Sequence, residues 1–180
     1  MRISALTVSE RVRLFGEDPV GVIRIPEGIS SIDAFAFEMC AEVTEVILPD
    51  SVTFIGYRAF AECSKLRKVR LSSQLRSGGV EAFACCFSLR TLDLPDSVKL
   101  IKRAAFGGCV RLAQVCFPES IQKIAGYAFY GCSKLKCVNL PDNLKELGDH
   151  AFSSYSRYDD PAVLESLGML PRPERLAYTA

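Results

Sequence analysis

The stretch LRTLDLPDSVKLIKRAAFGGCVR, Leu89–Arg111, decides the fold, because versions of it recur every 23 residues along the chain. Working outward, an Ala-Phe pair returns at Ala36-Phe37, Ala59-Phe60, Ala82-Phe83, Ala105-Phe106, Ala128-Phe129 and Ala151-Phe152. Those pairs take six of the eleven phenylalanines, so phenylalanine here is a repeat position and not scattered core filling. Three residues after each of the first five comes a cysteine: Cys40, Cys63, Cys86, Cys109 and Cys132, with Tyr155 in the sixth copy. Three further on stand Val43, Leu66, Leu89, Leu112 and Leu135. A short alternating segment follows: Val46-Ile47-Leu48, Val69-Arg70-Leu71, Leu92-Asp93-Leu94, Val115-Cys116-Phe117 and Val138-Asn139-Leu140, with an earlier copy at Ile23-Arg24-Ile25. Apolar residues two apart suit a very short strand. Proline ends it at Pro26, Pro49, Pro95, Pro118 and Pro141.

A fixed period of this length marks stacked supersecondary units. One copy cannot bury its apolar columns alone, but stacking sets each phenylalanine on its neighbour and makes a continuous core. Leu89-Arg-Thr-Leu92-Asp-Leu94 matches the L-x-x-L-x-L core of a leucine-rich repeat. Gly28, Ser51, Gln74, Ser97, Ser120 and Asn143 follow each strand and are read as a polar ladder satisfying backbone groups in the turn. The returning side, Ile32 to Cys40 and its equivalents, is expected to be a short helix or 3₁₀ turn with Ala, Phe and Cys pointing inward. The expected fold class is an α/β repeat: a leucine-rich repeat solenoid with a short-stranded parallel sheet on the concave face. Its parts are an N-terminal cap (1–19), about six repeats (20–155) and a C-terminal cap helix and tail (156–180).

The consensus L-P-[DE]-S-[VI]-x-x-I-x-x-x-A-F-x-x-C-x-x-L-x-x-V resembles the BspA-like leucine-rich repeat over roughly residues 20–155. The resemblance implies a leucine-rich solenoid. It also implies roles such as adhesion and binding to host or matrix proteins, which many bacterial and protist surface proteins of this type perform.

Two regions depart from the pattern. In repeat three, Ser72 replaces the proline and Gly78 the inward isoleucine of Ile32, Ile55, Ile101 and Ile124. Val80 is expected to fill the gap; the other reading of Gly78-Gly79 is a flexible seam or a contact point. At the ends, Leu6–Phe15, with Val8, Val12 and Leu14, is expected to form one or two covering strands. Asp160-Pro161 is expected to open a helix through Leu167, with Leu164, Leu167 and Leu170 over the last repeat. Pro171–Ala180 is expected to be mobile or bound elsewhere.

Composition narrows the function. The 180 residues carry 22 basic and 21 acidic side chains, a net charge of +1, which argues against nucleic-acid or membrane-surface binding. His150 is the single histidine, and it occupies a column otherwise holding Phe35, Arg58, Glu81, Ala104 and Tyr127. So variable a column reads as a solvent-facing convex position, not a catalytic one. No metal, cofactor or nucleophile motif is found. The inward cysteines read as reduced core thiols, with disulfides and a metal as the other readings. Ser9, Glu10, Arg11 and Arg13 interrupt the apolar run that an export signal needs, and no membrane span is found, so a cytosolic protein is expected.

The outward strand positions are the candidate binding surface: Arg24, Ile47, Arg70, Asp93, Cys116 and Asn139 in one column, Glu45, Lys68, Thr91, Gln114 and Cys137 in the other. Their mixed character suits a protein partner. The leading expectation is therefore a non-enzymatic protein-binding module. A subunit of a multi-subunit intracellular assembly and a surface adhesin are the alternatives.

Overall fold

The computed structural model describes residues 4–135 and 140–153, and the backbone of 177–179. In chain order the elements are β1 (Ala5–Leu6), α1 (Val8–Phe15), β2 (Gly21–Arg24), β3 (Ser31–Ile32), β4 (Val43–Ile47), β5 (Phe54–Ile55), β6 (Lys68–Arg70), β7 (Thr91–Asp93), β8 (Leu100–Ile101), β9 (Gln114–Cys116), β10 (Lys123–Ile124), β11 (Glu146–Gly148) and β12 (Ala177–Thr179). Every pairing is parallel. The result is a β-solenoid of about six turns.

The first, second, fourth and fifth turns each have a front strand, a back strand and a phenylalanine turn. The front strands pair as β2-β4-β6 and β7-β9, and the back strands as β1-β3-β5 and β8-β10-β11-β12. The back ladder, two residues long in most copies, went unread in the sequence because two residues carry no alternation. Ile32, Ile55, Ile101, Ile124 and Leu147 are its inward side chains, all buried.

The phenylalanines form the spine. Phe37, Phe60, Phe83, Phe106, Phe129 and Phe152 stack with centroids 5.0 to 5.5 Å apart and planes within 10° of parallel. The backbone sets that geometry: Phe37 N–H donates to Ala59 O at 2.7 Å, and Phe60, Phe83, Phe106 and Phe129 repeat the bond. No helix forms here. Two residues before each phenylalanine the backbone is left-handed (Phe35, Arg58, Glu81, Ala104, Tyr127, His150), and two residues after the first five it is so again (Met39, Glu62, Cys85, Gly108, Gly131). Left-handed residues at both flanks preclude a run of helical dihedrals. The expected helix or 3₁₀ turn on the returning side is therefore replaced by paired tight turns.

The cysteine column is buried and free from Cys40 to Cys132. Each thiol from Cys63 on donates to the phenylalanine carbonyl of the preceding turn: Cys63 to Phe37 O, Cys86 to Phe60 O, Cys109 to Phe83 O and Cys132 to Phe106 O, at 3.1 to 3.3 Å. Thiols are weak donors, but these bonds point along the stack and tie successive turns together. Burial pushes the Cys63 and Cys132 thiols up to about 12, and those of Cys86 and Cys109 well above the ordinary value. Such thiols are chemically quiet.

The polar ladder after the strands does bond backbone. Ser51 Oγ accepts from Gly28 N–H, Ser97 and Ser120 donate to Leu75 O and Val98 O, and Asn143 Nδ2 donates to Glu119 O. In repeat three, Ser72 Oγ accepts from Gln74 N–H, and Leu75 N–H still donates to Ser72 O, so the turn survives without proline.

The N-terminal cap is a strand and a helix, not one or two strands over Leu6–Phe15. Thr7 caps α1 by accepting from Glu10 N–H at 3.1 Å, in a T-x-x-E arrangement. Gly16, at φ 84°, ends it, its N–H donating to Val12 O. Val8, Val12 and Phe15 have helical spacing, and Phe15 packs on Phe37 with centroids 5.9 Å apart. At the other end, Ala177–Thr179 pairs with Glu146–Gly148 in parallel, so the last residues join the back ladder. The expected helix from Pro161 to Leu167 lies outside the described residues.

Candidate functional site

The front strands align the outward residues in rows. Arg24, Ile47 and Arg70 are register partners across β2, β4 and β6, as are Val22, Glu45 and Lys68. Across β7 and β9, Thr91 faces Gln114 and Asp93 faces Cys116. Arg24, Lys68, Arg70, Thr91, Asp93, Gln114 and Cys116 are exposed, while Glu45 and Ile47 are half-buried. Glu45 lies 3.9 Å from Lys68, and Gln114 reaches the Cys116 thiol. A hydrogen bond with the Asp93 side chain leads the causes that raise the Cys116 thiol. Cys137 and Asn139 lie outside the described residues.

The face is in two parts, because β6 and β7 are not paired. The break is at repeat three. Its back-strand segment is reduced to one bridge, Phe54 to Ser77. Between repeats three and four lies an apolar cavity of about 30 Å³, lined by Ile55, Leu75, Gly78, Phe83, Val98 and Ile101 among others. Val80 is not among its lining residues and stays half-buried, so it does not fill the place of the missing isoleucine. Next to it, Gly79 lies close against the backbone of the preceding turn: a Cβ on Gly79 would stand 2.1 Å from Gly56 O.

Two clusters escaped the sequence reading. Arg58 is bonded to Glu38 and Glu62 at 2.5 Å and to Glu81 at 2.8 Å, joining repeats one, two and three. Its hydrogen bonds to those carboxylates, Glu38 foremost, raise the guanidinium further above its ordinary value. The second cluster is basic and edges the front sheet. Arg67, Arg90, Arg111 and Lys134 stand where each cysteine turn enters the next front strand, and around Arg90, Ala113, Arg111 and Lys134 the surface opens into a hollow of about 540 Å³. The signal was present as basic residues at repeat-equivalent places, but it lay one or more residues before the strands.

His150 is exposed, as its variable column suggested, and its Nδ1 lies 3.3 Å from Ser153 Oγ. What the column shares is a left-handed backbone, which side chains as different as Phe35, Arg58, Glu81, Ala104, Tyr127 and His150 adopt alike. Among the described residues there is no group of three or more His, Cys, Asp or Glu side chains able to hold a metal.

The model of the BspA type leucine rich repeat region matches residues 13–95 and 77–167, in six copies. The chain belongs to that family. It is similar to the crystal structure of the T. pallidum leucine rich repeat protein, at 31% identity over 73% of this chain and 69% of that one, with a TM-score of 0.69. It is also similar to a leucine-rich repeat protein from Bacteroides ovatus (32% identity, 77% of this chain, 42% of that one, TM-score 0.57). A leucine rich cell surface protein from Faecalibacterium prausnitzii is 25% identical, with 83% of this chain and 35% of that one covered and a TM-score of 0.51. The BspA-type chain thus spans less than half the length of the latter two. Among curated proteins, none matches it.

Proposed function

We propose that this BspA-type solenoid is a non-enzymatic module that holds a polypeptide partner on its front face. The observation that carries this reading is the strand register. It sets the outward side chains of β2, β4 and β6 in aligned rows, as it does those of β7 and β9. Rows of mixed charged, polar and aliphatic side chains on a rigid ladder favour a protein surface as the complement. Site-directed photo-crosslinking tests it. A photoreactive residue at Thr91 should capture one partner of fixed mass, while the same residue at Lys99, in the turn between front and back strands, should capture none. Equal labelling from both positions would remove the front face from consideration.

The similarity to a cell surface protein favours a second reading, a surface adhesin. Antibody labelling of intact source cells decides between an outside and an inside location.

A further inference from the structure

We propose that the basic edge formed by Arg67, Arg90, Arg111 and Lys134 docks an acidic segment of a polypeptide partner. This rests on the protein-binding reading and names the partner's chemistry.

Backbone bonds stack the edge directly. Arg90 N–H donates to Arg67 O at 3.4 Å and Ala113 N–H to Arg90 O at 2.9 Å, so Arg67, Arg90 and Ala113 are one column on successive turns. Arg111 and Lys134 are the neighbouring column, one turn apart, at about 4.8 Å per turn. At Ala113 the arginine column stops at a methyl group, and the hollow opens there between three cations. None of the four basic side chains has an ion-pair partner among the described residues. In the column of Arg111 and Lys134, Lys65 stands two turns nearer the N-terminus, beside Arg67, and its charge is taken up by Glu42 at 2.6 Å.

Along Phe87–Thr91, Val110–Gln114 and Ser133–Leu135 there is no acidic residue. The opposite edge differs. There Arg76 and Lys99 are interleaved with exposed Asp50, Asp96 and Glu119. A chain of net charge +1 has therefore collected, along one edge, positive charge that has no ion-pair partner among the described residues. Cations around an open hollow favour a carboxylate-bearing partner and steer its approach. Phe87 and Val110, exposed at repeat-equivalent places beside Arg90 and Arg111, add apolar surface. Acidic and apolar groups together are the chemistry of a polypeptide.

The probe is a fluorescein-labelled peptide of alternating Glu and Leu, titrated by anisotropy against the whole chain. It should bind, more weakly as salt rises. The double reversal Arg90→Glu with Arg111→Glu should weaken it roughly tenfold. The same change of net charge on the opposite edge, Arg76→Glu with Lys99→Glu, should leave binding unchanged. Unaltered melting curves show that the variants fold. Equal affinity for the wild type and the Arg90/Arg111 variant overturns the proposal. So does tighter binding of single-stranded oligothymidylate of matching charge, which would make the edge a nucleic-acid contact. Peptide binding lost through Arg90 and Arg111 with no crosslink from Thr91 sinks the front-face reading alone. A Thr91 crosslink with unaltered peptide binding sinks the edge alone.

Discussion

Two joints in the same solenoid are built differently. Between repeats two and three, β4 pairs with β6, Phe54 bridges Ser77, the Asp50 carboxylate accepts from Ser73 N–H, and Arg58 holds Glu38, Glu62 and Glu81. Between repeats three and four neither the front nor the back strands pair, and a small apolar cavity lies between the turns. What crosses the second joint lies mostly on the phenylalanine side. Glu81, Phe83 and Cys85 N–H groups donate to Arg103, Ala105 and Gly107 carbonyls, Cys109 donates to Phe83 O, and Phe83 stacks on Phe106. A solenoid is stabilised by nearest-neighbour interfaces, so one weakened interface divides it into a block of repeats one to three and a block of repeats four to six. The comparison teaches that the Phe-Cys turn, more than the sheet, is the continuous element of this fold.

The largest effect that sharpens this view is alkaline unfolding. The ladder thiols are held neutral in the fold, burial raising Cys63 and Cys132 to about 12. In the unfolded chain they ionise near about 8.5. Their contribution is therefore complete below that value and is lost as pH rises toward the folded values. The loss is about 1.4 kcal/mol per thiol for each pH unit. Urea midpoints measured from pH 8 to pH 10 should fall steeply, and Cys86→Ala with Cys109→Ala should flatten the slope. A slope unchanged by those substitutions would remove the thiols as its cause.

Next in size are the phenylalanines. Phe60→Ala and Phe83→Ala should each cost about 3–5 kcal/mol. They should differ in kind. Phe83 carries the weak joint, so its loss should split urea unfolding, followed by circular dichroism, into two transitions, whereas Phe60→Ala should keep one. A single transition for both would abolish the distinction between the joints.

The smallest effects come from the adjacent glycines. A Cβ at Gly79 strikes the Gly56 backbone, so Gly79→Ala should cost about 2 kcal/mol. A Cβ at Gly78 meets nothing within 4 Å and borders the cavity, and its φ is not left-handed. Gly78→Ile should therefore gain about 1 kcal/mol in a thermal melt and strengthen the joint. A loss at Gly78 as large as that at Gly79 would mean the cavity cannot accept a side chain.

Much of this was legible from side-chain periodicity. The Ala-Phe, cysteine and isoleucine columns, the proline stops, the outward rows and the polar ladder all follow from residue types recurring every 23 positions. The cap was misread because Val12 and Leu14 alternate like a strand, although Thr7 and Glu10 already spelled a capping box. The returning side was misread because a left-handed backbone leaves little trace in a column that accepts Phe, Arg, Glu, Ala, Tyr and His alike.

By itself the sequence determined which atoms are inside, since a fixed period assigns every side chain to a face once turns stack. Only the tertiary structure decided how well each turn sits on the next. Ladder pairing, the thiol bonds to phenylalanine carbonyls, the clash waiting at Gly79, the space beside Gly78 and the hollow at Ala113 all depend on distances between residues a full turn apart. Periodicity sets which residues stand over one another, but not how closely their backbones approach.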